Sequence, residues 1–409
     1  MRRRLALLAA VLLVAGACGG GGSSSGPQTR QVLVDYDHDE FAGAFLSYFP
    51  QVVSVRPGDT VDFKQFWTGE PHSVTMGTLV DKGLIPARKA FKEDPTLFER
   101  EETPPELKEA EQAFEVLPFM LDENNEVNQL AAQPCYLEAG ELPKDPAKPC
   151  PEKTLKPFDG RQAYYNSGFI PYEGKKGNKF ELKLADDIAP GTYSYYCNLH
   201  GPAMSGEIQV QPTGSKIPSQ SEVSRGGRVE VEKAVQGLKA GFDAGKSGKL
   251  PESWGVPEPE GKRLSGFAPA SQGVNAFGSE FVPRDIEAKV DEKVTWAFVG
   301  GHTVSFDVPR YLPIFTIAKD GTVAFNPQAH KPVGSPGPPK EERGPPGEGG
   351  AGGVKPKPPE VDAGKWDGSG FLSSGLIYEG SWSLTFTKPG NYKYACLVHP
   401  RMLGEVVVR

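Results

Sequence analysis

Two short stretches of this 409-residue chain place a cysteine, a histidine and a methionine at almost the same spacing: Cys197-x2-His200-x3-Met204 and Cys396-x2-His399-x2-Met402. Each has a second histidine far upstream, in Pro71-His72-Ser73-Val74 and in Gly301-His302-Thr303-Val304. A thiolate, a thioether and two imidazoles select copper over hard cations such as magnesium or calcium. Three strong ligands with a weak axial methionine are the set used for one-electron transfer. Taken singly, a Cys or Met of this kind is more often core packing. The complete set occurring twice carries the reading. Ser73 and Thr303, directly after the upstream histidines, are candidates for steadying the cysteine loops.

The elements that must position these donors read as β. Pro190-Gly191 and Pro389-Gly390 mark turns, since Pro sets φ and Gly accepts positive φ. Beyond them Tyr193, Tyr195 and Cys197, and likewise Tyr392, Tyr394 and Cys396, alternate onto one face of a strand. Further β-rich runs precede each upstream histidine, Val52 to Phe66 and Ile286 to Phe298. Tyr172-Glu173-Gly174 also matches Tyr378-Glu379-Gly380, so the landmarks keep one order in both halves. One domain type used twice is the expectation, each copy an all-β sandwich of short strands.

Both copies resemble cupredoxins, the type 1 blue copper family of plastocyanin and amicyanin, most closely over the Pro-Gly-x-Tyr-x-Tyr-x-Cys-x2-His-Met loops. The resemblance implies two tandem Greek-key β-sandwiches, each with copper near one end. It assigns His72, Cys197, His200 and Met204 to the first copper, and His302, Cys396, His399 and Met402 to the second. It also implies that the second histidine of each loop lies near the surface. Leu199, Gly201 and Pro202, with Val398 and Pro400, would then suit brief docking of a redox donor or acceptor. The first loop is one residue longer than the second, so the two potentials are expected to differ. The function expected is an electron carrier without substrate turnover. A copper sequestration or delivery protein is the alternative. A multicopper oxidase or nitrite reductase-like enzyme is less favoured, because the chain has no His-x-His pair to supply another kind of copper centre.

The remainder bounds where such a protein works. Arg2-Arg3-Arg4, the apolar run Leu5–Ala17 and Cys18 read as a signal peptide (1–17) ending in a lipoprotein box. Lipidation at Cys18 would anchor the chain on the extracytoplasmic, periplasmic or cell-surface side of a bacterial membrane, through a flexible tether spanning 18–34. Disulfides persist there, and Cys135 with Cys150 is the expected bridge. The organisation expected is a first domain over 35–212 with a helical insert at about 78–160, a connector with a short helix over 213–272, and a second domain over 273–409. Thr103-Pro104-Pro105-Glu106 resembles a capping box opening a helix in the first insert. The second domain carries a Pro/Gly-rich insert at about 331–360, read as disordered. His38, within the acidic run Asp35–Glu40, reads as part of a solvated segment, and His330 as exposed. The 49 Gly and 39 Pro favour turn-rich β structure over a helix bundle. A net charge of −7, with no basic cluster after the N-terminus, excludes nucleic acid as an expected partner.

Overall fold

The computed structural model describes residues 26–94, 97, 105–118, 126–145, 150, 152–170, 178–251, 254, 256, 263–270, 274–337 and 358–409. The expected signal peptide (1–17), Cys18, Thr103-Pro104, Tyr172-Glu173-Gly174 and most of the Pro/Gly-rich insert lie outside the described residues.

The described chain is mostly β. It opens with β1 (Thr29–Val34), β2 (Gly43–Phe45), β3 (Tyr48–Phe49), β4 (Val52–Val55), β5 (Thr60–Gln65) and β6 (Thr75–Met76). Next come α1 (Thr78–Glu93), α2 (Lys108–Phe114), α3 (Gln129–Ala132), β7 (Pro134–Leu137), β8 (Tyr164–Ser167), β9 (Lys179–Lys183), β10 (Gly191–Cys197) and β11 (Gly201–Val210). A long helix, α4 (Gln220–Ser247), leads to β12 (Leu264–Phe267), β13 (Ala276–Val282), β14 (Asp285–Ala288), β15 (Lys293–His302) and β16 (Ser305–Phe306). The chain finishes with β17 (Phe315–Ile317), β18 (Val323–Phe325), α5 (Pro327–His330), β19 (Glu360–Trp366), β20 (Leu372–Ser373), β21 (Ile377–Phe386), β22 (Gly390–Ala395) and β23 (Leu403–Val408).

Two sheets, ordered β3-β1-β5-β9 and β4-β11-β10-β6-β8-β7, enclose one core. Val32, Val34, Val61 and Phe63 meet Tyr195, Cys197, Ile208 and Val210 there. Two more, β19-β21-β15-β12-β13-β2 and β14-β23-β22-β16-β20, enclose a second core around Trp296, Trp382, Phe306 and Tyr394. In each, alternate residues of the strand leading to the cysteine point inward, as a period of two requires.

Four local expectations change. The tether over 18–34 gives way to β1 from Thr29, which pairs in parallel with β5 because Val32 and Val34 bury fully. The short connector helix is a 28-residue helix whose Ser219–Glu222 capping box starts it. The connector's end, over 264–267, is β12, a central strand of the second core's sheet. Of the Pro/Gly-rich insert, Val333 is bridged to Ser373 and Glu360 begins β19.

The two cores are not separate beads. Gly43–Phe45 leaves the first half and pairs with β13, Ala276 opposite Phe45 and Gly278 opposite Gly43. In the first insert α1 and α2 cover the outer face of β10, where Phe114 stacks edge-on against Tyr196 at 5.3 Å. Ala395 holds the position equivalent to Tyr196 and is only half-buried. Cys135 and Cys150 form a disulfide beneath α1, closing 15 residues. Replacing both by Ala is expected to lower stability by about 3 kcal/mol, the constraint such a loop imposes on the unfolded chain, and thermal unfolding checks it. Among the described residues no helix is long and apolar enough to cross a membrane.

Candidate metal centres

At the first centre His72 lies in the loop between β5 and β6, Cys197 ends β10, His200 occupies the following turn and Met204 lies on β11. The second repeats this: His302 ends β15, Cys396 follows β22, and Met402 precedes β23. Strands that diverge at one end of each sandwich thus bring together residues more than 90 positions apart.

The distances repeat as well. Cys197 Sγ lies 4.0 Å from His72 Nδ1 and 3.6 Å from His200 Nδ1, and the two nitrogens are 3.2 Å apart. Cys396 Sγ lies 4.0 Å from His302 Nδ1 and 3.6 Å from His399 Nδ1, with 3.0 Å between the nitrogens. Among the described residues these two His–Cys–His groups are the sets of three or more titratable donors that converge closely enough to hold an ion. Met204 and Met402 are fully buried in the same cores as the two cysteines. The Met402 N–H donates to the His399 carbonyl at 3.0 Å, and its own carbonyl accepts from the Cys396 N–H at 3.0 Å.

Each sulfur also accepts a backbone N–H, from Ser73 and from Thr303, both at 3.4 Å. The hydroxyls of these residues accept from Asn198 N–H at 2.9 Å and Leu397 N–H at 2.8 Å, so they tie the upstream loop to the cysteine loop. Burial pushes both thiols up, but the flanking imidazoles prevail and hold Cys197 and Cys396 well below the usual thiol range. Thiolate is the form that ligates metal.

The shells beyond the donors differ. His72 Nε2 faces the buried Asp35 carboxylate at 3.2 Å, and His200 Nε2 faces Glu70 at 3.0 Å. His302 Nε2 instead donates to the Val299 carbonyl at 3.0 Å. Burial opposes protonation of His72, yet the Asp35 hydrogen bond raises its pKa, whereas for His302 burial wins and lowers it. Burial likewise opposes protonation of His200, and its bonds to Cys197 and Glu70 carry it up to about 10.

Sequence patterns missed both carboxylates. The acidic run read as solvated holds a buried anion: Asp35 is 0% exposed and accepts from Tyr36 N–H, Phe45 N–H and Thr68 Oγ1, each at 2.6 Å. A carboxylate directly after the inward-facing Val32 and Val34 was the available signal. Asp37 pairs with Arg401, which also reaches the His38 carbonyl, so this run lies against the second ligand loop. His330 is half-buried, its Nδ1 2.9 Å from the Asn326 carbonyl.

The docking expectation changes too. Leu397, Val398 and His399 are 1%, 1% and 4% exposed: Leu397 packs with Leu312 and Ala329, and the Gly69 backbone lies against Val398 and His399. Trp67 Nε1 donates to Tyr311 Oη at 3.0 Å, and that hydroxyl donates to the Val398 carbonyl at 3.1 Å. Val398 is therefore interior. At the first centre Gly201 is buried, and beside it an apolar cavity of about 250 Å³ lies between α1, α2 and Pro202.

No protein-family model and no curated protein matches the chain. Among the solved structures that match are cupredoxins. A Cu(I) form of an amicyanin variant is 22% identical over 31% of this chain and 70% of its own, with a TM-score of 0.16. Auracyanin B is 14% identical over 45% and 89%, with a TM-score of 0.20. A purple cupredoxin from Nitrosopumilus maritimus is 17% identical over 32% and 83%, with a TM-score of 0.15. Scores this low describe partial likeness, and the chemistry of the centres rests on their own geometry.

Proposed function

We propose that the chain is an extracytoplasmic, lipid-anchored electron carrier with two type 1 copper sites. His72, Cys197, His200 and Met204 hold one ion, and His302, Cys396, His399 and Met402 the other. The observation that carries this is the pair of buried His–Cys–His groups, each with its three ligand atoms within 4.8 Å of one another. The donor set fits copper: one thiolate and two imidazoles make a soft trigonal site, and a buried thioether stands in the same core. Copper bound there supplies a reversible one-electron couple.

The protein's part is to hold the donors still. Ser73 and Thr303 fix both sulfurs from the backbone, and each upstream His has its outer nitrogen tied. Donors pinned in this way have little to rearrange when the charge of the ion changes. Their burial also argues for retention of metal rather than the easy exchange that sequestration or delivery needs. Reconstitution with copper is expected to give two ions per chain and an intense blue thiolate-to-copper band that bleaches and returns on reduction and reoxidation. A colourless protein with readily lost Cu(I) would favour copper handling instead.

A further inference from the structure

We propose that the two centres form a directional pair: the first, whose imidazoles are each backed by a carboxylate, has the lower potential and passes its electron to the second across the Gly69–Glu70 peptide. This rests on the copper reading above. It adds a route and a direction.

The route is a contact between the two ligand loops. Glu70 Oε2 lies 3.0 Å from His200 Nε2. A Cβ placed on Gly69 would fall 3.0 Å from His399 Cδ2 and 2.2 Å from the Val398 carbonyl oxygen, so the Gly69 backbone lies directly against that loop. Consecutive Cα atoms are about 3.8 Å apart, so the Gly69–Glu70 peptide and the Glu70 side chain together span the gap between the two ligand rings. Leu199, beside His200, packs against both hydrophobic cores. The His200 side chain is 11% exposed and His399 only 4% exposed, so the first centre is the more accessible point of entry.

The direction comes from charge. Asp35 and Glu70 place two anions on the outer nitrogens of the first centre's ligands. Such partners raise imidazole basicity, and nearby negative charge favours the more positive ion. The second centre has a neutral carbonyl on His302 and the Gly69 backbone against His399, and the two carboxylates act on His399 without hydrogen-bonding it. The first centre therefore favours Cu(II) and the second Cu(I). With copper bound, electron passage would take the first from Cu(I) to Cu(II) and the second from Cu(II) to Cu(I).

The test is a spectroelectrochemical titration of the copper-loaded full chain. Cys396→Ser isolates the first centre and Cys197→Ser the second. The first is expected to bind its electron at least tenfold more weakly, about 59 mV for a one-electron couple. Glu70→Gln, a partly exposed position, should raise the first midpoint at least threefold in the Cu(I)/Cu(II) ratio and shift the second by less, since Glu70 hydrogen-bonds His200 and acts on His399 only through space. In wild type given one electron per chain, spin resonance should keep the first centre's Cu(II) signal and lose the second's. The rate of that redistribution should not depend on protein concentration. Equal midpoints, the reverse order or a concentration-dependent rate overturn the directional pair while leaving the copper sites intact. A missing blue band in wild type overturns both readings.

Discussion

Gly266→Ala is expected to abolish one of the two proposed copper sites. Gly266 sits in the bulge of β12 at φ +83°, and a Cβ there would lie 2.2 Å from His302 Nε2 and 2.3 Å from the Val299 carbonyl oxygen. Those are the two atoms of the 3.0 Å contact that orients the His302 ring. A methyl cannot share that space, so the ring must turn and carry Nδ1 away from Cys396. The positive φ adds about 1–3 kcal/mol of backbone strain. Gly364→Ala separates the two effects, because Gly364 has φ +77° with nothing within 4 Å of its Cβ position. Metal analysis should find about one copper per chain in Gly266→Ala and two in Gly364→Ala.

Asp35→Ala is expected to give the largest loss of stability, about 3 kcal/mol or more. Truncation strands the Phe45 N–H, the Thr68 hydroxyl and the His72 Nε2–H, all buried and all served by one carboxylate. Leaving even one buried donor unpaired costs about 1–3 kcal/mol. Denaturant unfolding measures the loss. Hydrogen exchange should show a second effect at Gly43–Phe45, whose pairing with β13 depends on the turn that Asp35 holds. Asp35→Asn should recover only part of it, because its amide group offers a donor where the carboxylate accepted.

These two positions mark the boundary of what the chain disclosed before folding. The Cys-His-Met loops and the strands that carry them depend on short spacings and period-two alternation, and the upstream histidines with Ser73 and Thr303 are flagged by recurring in both halves, although they act over 93 residues or more. Asp35 and Glu70, with partners 37 and 130 residues away, have no such recurrence to flag them. The full length of α4 was hidden for a different reason. Apolar spacing caught Val231, Leu238 and their neighbours, but half of the packing face is glycine. A Cβ at Gly241 would lie 2.0 Å from the Ala268 carbonyl oxygen, and one at Gly227 3.0 Å from the Phe49 carbonyl carbon. Close approach of backbones leaves no hydrophobic signal.

The strand that Gly43–Phe45 contributes to the far sheet makes the two halves of the chain non-modular. A fragment starting near residue 260 would carry β13 as a bare edge, with unpaired amides and carbonyls open to a neighbouring molecule. Cut between the two cores, the chain yields a C-terminal piece prone to stick to itself and an N-terminal piece with a dangling arm. Mixing the two pieces should restore a soluble whole, as one molecule's arm finds the edge it was made for.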